Sequence, residues 1–388
     1  MYNFDKVVDR RNTGSLKWDV KDNELPMWVA DMDFETAPEI LECIRNRVSH
    51  GIFGYHIITE DWYGAYVNWW KKMHRFEMQK EWLIFATGVI PILSSAVRKL
   101  TTVGENVVIQ TPVYNNFFNC IQNNGRNVLE SPLIYEEGVY RIDFDDLEKK
   151  LADEQTTLMF LCNPHNPIGK IWNRETLQKV GELAAKHHVI VISDEIHCDL
   201  TAPGKEYVPF ASVSEICREN SITCIAPTKT FNIAGIQSAA VVVPNEVLRH
   251  KMWRALNTDE VAEPNTFAIP AAVAAFEKGG AWLTELKSYL QTNKEMAEQF
   301  LKENLPELRI VSMEATYLLW IDCSRITNDS GELAEYIREK TGLYLTRGDA
   351  YGESGKTFLR WNVACPKALL IDGLARMKDG VNQYKNRL

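Results

Sequence analysis

Three apolar, strand-like segments in the middle of the chain are each followed closely by a side chain able to do chemistry. The first runs into a turn with two Asn-Pro pairs that contains Asn166, the second ends at Asp194, and the third leads into a short polar segment with Lys229. The carboxyl ends of parallel strands share one edge of a sheet, where open α/β proteins bind ligands. We therefore expect these three side chains to lie close together.

An amide, a carboxylate and an amine at neighbouring strand ends are the groups that a pyridoxal phosphate (PLP) site requires. The amine of Lys229 would form the Schiff base, and Asp194 would keep the pyridine nitrogen protonated. Asn166 would donate an amide N–H to the phenolic oxygen of the cofactor. Separately, Lys229 could be a surface charge and Asn166 a turn residue, but their combination favours the PLP site.

The motifs around these residues resemble the class I and II aminotransferase superfamily of fold-type I PLP enzymes, over essentially the whole chain. They read Asn-Pro-x-Asn-Pro-x-Gly, Ser-Asp-Glu and Pro-Thr-Lys-Thr-Phe-Asn. The segments 29–34, Val-Ala-Asp-Met-Asp-Phe, and 194–197, Asp-Glu-Ile-His, resemble the carbon–sulfur lyase branch, the cystathionine β-lyase and cystalysin-like enzymes. The resemblance implies an α/β fold, with a mostly parallel sheet in a large domain and a smaller α+β C-terminal domain.

The elements that must position these residues alternate between strands and helices up to about residue 280, which independently predicts a mostly parallel sheet. A chain of 388 residues exceeds the size at which a single core stops growing, so we expect two lobes. We predict an N-terminal arm over 1–48 that packs with the small domain, a large PLP-binding domain over 49–282, and a small domain over 283–388.

A strand-to-helix turn supplies the candidates for holding the cofactor's phosphate. Gly88, Val89 and Ile90 follow an apolar strand and open a helix, and the free N–H groups of a helix start attract anions. Thr228, next to the candidate lysine, is a further candidate. The glycine turn alone is a weak signal, and the lysine further along the chain strengthens it.

The phosphate site departs from a pattern that many relatives share. They place an arginine eight positions after the lysine, whereas this chain has Gln237 there. The resemblance implies that Tyr55, in a Phe-Gly-Tyr loop, supplies a replacement contact from a neighbouring subunit, and hence a homodimer with a shared active site. The alternative for Tyr55 is packing at the interface alone.

Further residues are expected around the substrate. Arg360 resembles the family's arginine that binds the substrate α-carboxylate, and an arginine fork suits both carboxylate oxygens. Tyr114 follows a strand where its ring could stack on the cofactor, and Asn115 stands where cystalysin-like enzymes usually have a second tyrosine. We place Ala30 at the substrate, and His197 either at the cofactor edge or filling the strand end.

Composition excludes several other classes of function. A net charge of −9 argues against a nucleic-acid partner, because phosphate backbones require a basic face. The sequence has no apolar run long enough for a membrane span and no signal-peptide pattern at its start. The eight cysteines form no Cys-x-x-Cys pair, which favours reduced thiols in a cytoplasmic protein. We predict no metal site.

These observations predict a PLP-dependent β-lyase for a sulfur amino acid. L-Cystathionine or L-cysteine would lose its β-thiol to give pyruvate, ammonia and a thiol, and the sequence does not rank the two substrates. An aminotransferase using the same site is the first alternative. A PLP-binding regulatory protein that acts by protein contact is a second alternative.

Overall fold

The structure is a computed structural model that describes residues 2–387. Within that range the α-helices are α1 Pro38–His50, α2 Glu60–His74, α3 Val89–Leu100, α4 Asn116–Gln122, α5 Phe144–Leu151, α6 Arg174–Lys186, α7 Glu215–Glu219, α8 Pro227–Thr230, α9 Glu246–Thr258, α10 Ala268–Lys278, α11 Gly280–Asn304, α12 Ser330–Thr341 and α13 Lys367–Lys385. The strands are β1 Leu25–Pro26, β2 Leu83–Ala86, β3 Asn106–Ile109, β4 Asn127–Glu130, β5 Ile134–Glu136, β6 Val139–Arg141, β7 Thr156–Cys162, β8 Ile190–Asp194, β9 Ser221–Ile225, β10 Ala239–Val242, β11 Arg309–Ile310, β12 Leu318–Asp322, β13 Leu343–Tyr344, β14 Thr346–Arg347 and β15 Phe358–Asn362.

A seven-stranded sheet forms the centre of the molecule, in the order β2-β10-β9-β8-β7-β3-β4. The strands from β9 to β4 are parallel to their neighbours, whereas β10 is antiparallel to both β2 and β9. Helices cover both faces, so a strand such as β7, Thr-Thr-Leu-Met-Phe-Leu-Cys, is apolar almost throughout rather than alternating. The predicted mostly parallel sheet is confirmed.

An aromatic face of α2 packs beside this sheet. Trp62, Tyr66 and Trp69 are buried on it, and the ring of Tyr66 meets Phe276 of α10 edge-on at a centroid distance of 4.7 Å. Spacings of three and four residues, which can be read directly from the sequence, bring these side chains to one face of the helix. Met73, one turn further along, is 40% exposed, so the packed face ends before it.

The C-terminal part of the chain builds a second sheet, in the order β11-β12-β15-β14. The N-terminal segment joins this part, because β1 pairs in parallel with β13. Helix α11 contributes Leu283 and Leu286 to the core of the larger unit and Leu301 to the core of the smaller one. These contacts support our proposal of an arm over 1–48 and domains over 49–282 and 283–388, with α11 crossing the last boundary.

A buried charge cluster fixes the arm before it reaches the pocket. The Lys17 amine is almost fully buried and lies 2.6 Å from an Asp33 carboxylate oxygen. Arg10 pairs with both Asp33 and Asp31, at 2.7 and 2.6 Å. Buried charges are stable only when paired and hydrogen-bonded, so these pairs restrict how the segment before residue 34 can run.

The structure also bears on two expectations from the sequence, the absence of a membrane span and the state of the cysteines. In the part of the chain that the structure describes, no helix combines the length and apolar character needed to cross a bilayer. All eight cysteines are free thiols, and seven of them are buried. The thiols are therefore packing groups, as their apolar sequence context predicts.

Two glycines with the same left-handed backbone allow a test of how the arm is anchored. Gly342 and Gly14 both have φ of +75°, but a Cβ on Gly342 would lie 2.4 Å from the carbonyl oxygen of Asn23, whereas one on Gly14 would meet nothing within 4 Å. Gly14→Ala should cost about 1 kcal/mol, the ordinary strain of a left-handed residue. Gly342→Ala should lower the thermal unfolding midpoint by clearly more than Gly14→Ala does, because the backbone of the arm must also move. Equal midpoints for the two variants would contradict a tight junction at Gly342.

Candidate active site

A cavity of about 220 Å³ lies at the carboxyl ends of β7, β8 and β9, against the start of α3. It brings together ten of the twelve residues expected from sequence at the site and leaves out Arg360 and Tyr55. The residues that line it are Ala30, Thr87, Gly88, Val89, Ile90, Pro91, Tyr114, Cys162, Asn166, Asp194, Ile196, His197, Thr228, Lys229, Ala234 and Gln237.

Lys229 projects into this cavity from α8, a helix of only four residues that follows β9. Its Nζ donates a hydrogen bond to the backbone carbonyl of Ala30 at 2.6 Å. Burial lowers the pKa of Lys229 to about 8, although the carboxylates of Asp31 and Asp194 act in the opposite direction. A substantial fraction of the amine is therefore neutral near pH 8, as a nucleophile or a base requires.

Asp194 is the last residue of β8 and is buried at the floor of the cavity. Its Oδ1 accepts a hydrogen bond from the Ile196 amide at 3.2 Å, and within residues 2–387 no cation forms an ion pair with it. Burial raises the pKa of Asp194 to about 6. A buried carboxylate without an ion-pair partner is stabilised by a cationic ligand group, and a protonated pyridine nitrogen is such a group.

Asn166, which lines the cavity, is hydrogen-bonded to Arg360, which does not. An Nη atom of Arg360 donates to Asn166 Oδ1 at 3.3 Å, and the other Nη donates to the Trp28 carbonyl at 2.9 Å. The guanidinium lies 4.9 Å from the centroid of the Tyr351 ring, while its buried Nε has no partner in the described structure. Arg360 thus adjoins the site and retains a free donor for an anionic group.

One wall of the cavity is suited to an anion. Gly88, Val89 and Ile90 lie where α3 begins, and the first amides of a helix have no acceptor within the helix. The first turn of α3 carries no acidic side chain, so the positive end of its dipole is not neutralised. Thr228 and Gln237 line the same cavity, and none of the arginines within the described range does.

Tyr114 and His197 also line the cavity. The Tyr114 hydroxyl accepts a hydrogen bond from Asn116 Nδ2 at 2.7 Å. Burial lowers the pKa of His197 to about 3, and the nearby charges of Lys229 and Arg360 lower it further. His197 is therefore a neutral imidazole at physiological pH, and its buried Nδ1 has no hydrogen-bond partner among residues 2–387.

Tyr55 is not brought to the cavity of its own chain. It lies in the loop between α1 and α2 with its side chain fully exposed, at 106% of the reference area. A contact from a second subunit, as the resemblance implies, remains a prediction.

Sequence reasoning did not assign Cys162 and Ile196 to the site, although both line the cavity. Cys162 ends β7 and lies directly opposite Asp194 in the parallel register. Asp194 was assigned to the site because it ends a strand at the ligand-binding edge of the sheet. The same rule applied to Cys162 would have assigned it as well. Ile196 follows two residues after Asp194, and nothing in its apolar side chain distinguished it from a core residue.

The arrangement as a whole fits PLP, and the decisive observation is the unpaired, buried Asp194 carboxylate. An amine that is partly neutral near pH 8, Lys229, shares the cavity with it. The start of α3 at Val89 provides amides for a phosphate, and the Asn166 side chain provides an amide group. Lys229, Asp194, Asn166 and the start of α3 would hold the aldehyde carbon, the ring nitrogen, the phenolic oxygen and the phosphate, respectively.

The raised pKa of Asp194 predicts a pH-dependent gain in stability for Asp194→Asn in the cofactor-free protein. The folded state binds the Asp194 proton more tightly than the unfolded state, with a pKa of about 6 against 3.8. Ionisation therefore lowers the free energy of unfolding progressively between these values, and the full loss persists above pH 6. Asp194→Asn removes this loss, so it should gain up to roughly 3 kcal/mol over wild type at pH 8 and little at pH 4.

Urea denaturation at the two pH values measures this difference. Asp19→Asn, at an exposed position, is the matched control. A gain for Asp194→Asn of the same size at both pH values would show that ionisation of Asp194 is not responsible.

Comparison with known proteins places the chain in a family. The family model described as Aminotransferase class I and II matches residues 37–376. Cystathionine beta-lyase PatB of Bacillus subtilis (strain 168) is 43% identical over 97% of this chain and 99% of its own length. Cystalysin from Treponema denticola, whose structure contains a pyridoxal 5'-phosphate cofactor, has a TM-score of 0.95, with 32% identity over 99% of each chain. The PLP-bound C–S lyase from Staphylococcus hominis has a TM-score of 0.92, with 33% identity over 98% of each chain.

These matches extend over nearly the whole chain and include both the sheet that forms the cavity and the C-terminal unit. They confirm the resemblance and the fold class expected from the motifs around Asn166, Asp194 and Lys229. The chain belongs to the class I and II aminotransferase family.

Proposed function

We propose that the protein is a PLP-dependent carbon–sulfur lyase that acts on a sulfur amino acid. The observation that carries the proposal is one cavity that holds the Lys229 amine and an unpaired, buried Asp194 carboxylate, with the Arg360 guanidinium beside it. The similarity to a cystathionine beta-lyase and to two lyase structures supports elimination as the reaction.

Each group has a role that follows from its chemistry. When bound, PLP supplies an electron sink for the charge left by removal of the substrate's α-proton. Lys229 takes that proton, since its lowered pKa keeps part of the amine neutral. Asp194 keeps the ring nitrogen protonated, and Asn166 donates to the phenolic oxygen. Arg360 binds the substrate α-carboxylate, and its unpartnered Nε is the available donor.

Elimination then requires loss of the β-substituent. After the α-proton has gone to Lys229, the Cβ–S bond breaks and its electron pair leaves with the thiolate. Hydrolysis of the remaining three-carbon fragment gives pyruvate and ammonia. Tyr114 and Ala30 line the cavity with Lys229, and we assign them to contacts with the substrate. L-Cystathionine and L-cysteine both carry the required β-sulfur.

An aminotransferase is the second candidate function, and the family model that matches residues 37–376 favours it. Both reactions begin with loss of the α-proton, and they diverge in what happens next. A transaminase must return a proton to the cofactor's aldehyde carbon and requires a keto acid. A regulatory role through protein contact would be independent of either reaction, and a pull-down with the wild-type protein tests for it.

We propose that the working form is a homodimer in the cytoplasm. The loop around Tyr55 exposes Ile52, Phe53 and Ile57 as well, each by more than half. A contiguous exposed apolar segment is typical of a protein interface, and a second subunit would cover it. The eight free thiols support a reducing compartment.

The reaction type is tested by product analysis. We expect L-cystathionine to give pyruvate, ammonia and homocysteine in equal amounts without an added keto acid, and Lys229→Ala to lose both turnover and the absorption band of the lysine-bound cofactor. Colorimetric assays of the products and an absorption spectrum measure these effects. L-Cysteine tested in parallel ranks the two substrates. A strict requirement for a keto acid, with no free ammonia, would support the aminotransferase instead.

The shared site is tested with mixed dimers. Tyr55→Phe should weaken PLP retention, because Gln237 replaces the usual arginine and the phosphate needs another donor. Mixing Tyr55→Phe chains with Lys229→Ala chains should restore one competent site per dimer, since one chain supplies the lysine and the other supplies the tyrosine. Turnover and bound PLP per dimer measure the recovery.

The matched control is the purified heterodimer of a wild-type chain and a chain that carries both substitutions, compared with the purified heterodimer of Tyr55→Phe and Lys229→Ala chains. These dimers should show no such recovery, because the intact lysine would face a phenylalanine. Equal or greater activity of the control heterodimer would show that Tyr55 does not act across the interface.

A further inference from the structure

Asp199 is a buried carboxylate outside the cavity, on the same turn after β8 that carries His197. Three hydrogen bonds reach it from two helices. Trp69 Nε1 and His74 Nε2, both on α2, lie 3.0 and 2.9 Å from Oδ1. The hydroxyl of Thr230 donates to Oδ2 at 2.9 Å. The carboxylate thus connects α2 to α8.

The third of these bonds matters because of where Thr230 lies. It is the residue after Lys229, at the end of the four-residue α8. A helix this short has little stability of its own, so its direction depends on side-chain contacts. Thr230 is fully buried, and the bond to Asp199 is the hydrogen bond that its hydroxyl donates. This bond therefore fixes the chain one residue away from Lys229.

We propose that Asp199 is a positioning residue for Lys229, acting through Thr230, with Trp69 and His74 holding the carboxylate in place. This inference rests on the proposed function of Lys229. Asp199 does not itself line the cavity, so its effect is on where the amine is held.

The charge state of Asp199 supports this role. Burial alone would raise the pKa of this carboxyl, but its three hydrogen-bond donors hold the pKa below the ordinary value. The group is therefore an acceptor-only carboxylate at neutral pH. Charge-assisted hydrogen bonds of this kind are about twice as strong as neutral ones, which favours a fixed geometry.

A metal site is the competing interpretation of this cluster. His74, Cys198 and Asp199 each offer a ligand atom, and these atoms lie within 4.8 Å of one another. However, burial and the neighbouring carboxylates of Asp199 and Glu195 raise the pKa of the Cys198 thiol well above its ordinary value, so the thiolate that a metal needs is disfavoured. The half-buried amine of Lys287 lies near the same carboxylate. These observations favour an Asp199 carboxylate that is held by hydrogen bonds over one that binds a metal.

Thr230→Val tests the proposal, because it removes the hydroxyl and keeps the shape of the side chain. Thr230→Ser is the matched control, since it keeps the hydroxyl. The first measurement is the rate at which added PLP becomes attached to Lys229 in cofactor-free protein, trapped with borohydride and located by peptide mass. The second is kcat and KM of the loaded enzyme.

We expect Thr230→Val to slow attachment to Lys229 and to lower kcat by about tenfold or more, as a small misplacement of a reacting group does. KM should change little, and Thr230→Ser should stay near wild type. A lower melting temperature with unchanged attachment rate and kcat per bound cofactor would show a purely structural role and overturn the proposal. If wild type is not labelled at Lys229, the proposed function fails instead.

A double-variant cycle isolates the effect on the lysine. In Lys229→Ala enzyme rescued by free methylamine, adding Thr230→Val should cause no further loss, because no lysine remains to be positioned. A loss equal to that in the wild-type background would overturn the proposal. A metal at this cluster would also overturn the proposal, because the metal would then hold Asp199. In that case a chelator would lower the activity of the wild-type enzyme, and added Zn²⁺ would restore it.

Discussion

The parallel register of β7, β8 and β9 is the constraint on which the site depends. Cys162 lies opposite Asp194, and Asp194 lies opposite Cys224. All three strands therefore end at one level, and the turns that follow deliver Asn166 and Lys229 to the same cavity. A slip of one residue in β8 would turn Asp194 to the other face of the sheet. The buried apolar residues on both faces prevent such a slip, so core packing fixes the position of the acid.

The N-terminal arm completes the cavity and joins its two sides. The side chain of Asn232 donates to the Met32 and Phe34 carbonyls, and that of Asn362 donates to the carbonyls of Val29 and Asp31. Buried backbone groups require partners, and here the partners come from the turn after α8 and from β15.

The same arm contacts the chemical groups directly. The Ala30 carbonyl accepts hydrogen bonds from Lys229 and from the Tyr317 hydroxyl, at 2.6 and 2.9 Å, and the Trp28 carbonyl accepts one from Arg360. The lysine and the arginine are thus held by backbone only two residues apart. Any movement of the arm would change both contacts, so the proton transfer that we propose at Lys229 and the carboxylate binding that we propose at Arg360 would be coupled. Burial then shifts the pKa values of Lys229 to about 8 and of Asp194 to about 6, which brings both groups toward neutrality in a site where charge is costly.

The sequence by itself determined the mostly parallel sheet, the aromatic face of α2, and the residues at the strand ends, Asn166, Asp194 and Lys229. These depend on local patterns, namely apolar runs, helical spacing and the position of a polar residue after a strand. Only the tertiary structure decided that Ala30 bonds Lys229 and that Asp199 bonds Thr230, because these contacts join residues 199 and 31 positions apart. No local pattern encodes such a contact. It follows from how the arm and α2 pack on the sheet, which depends on the whole chain at once.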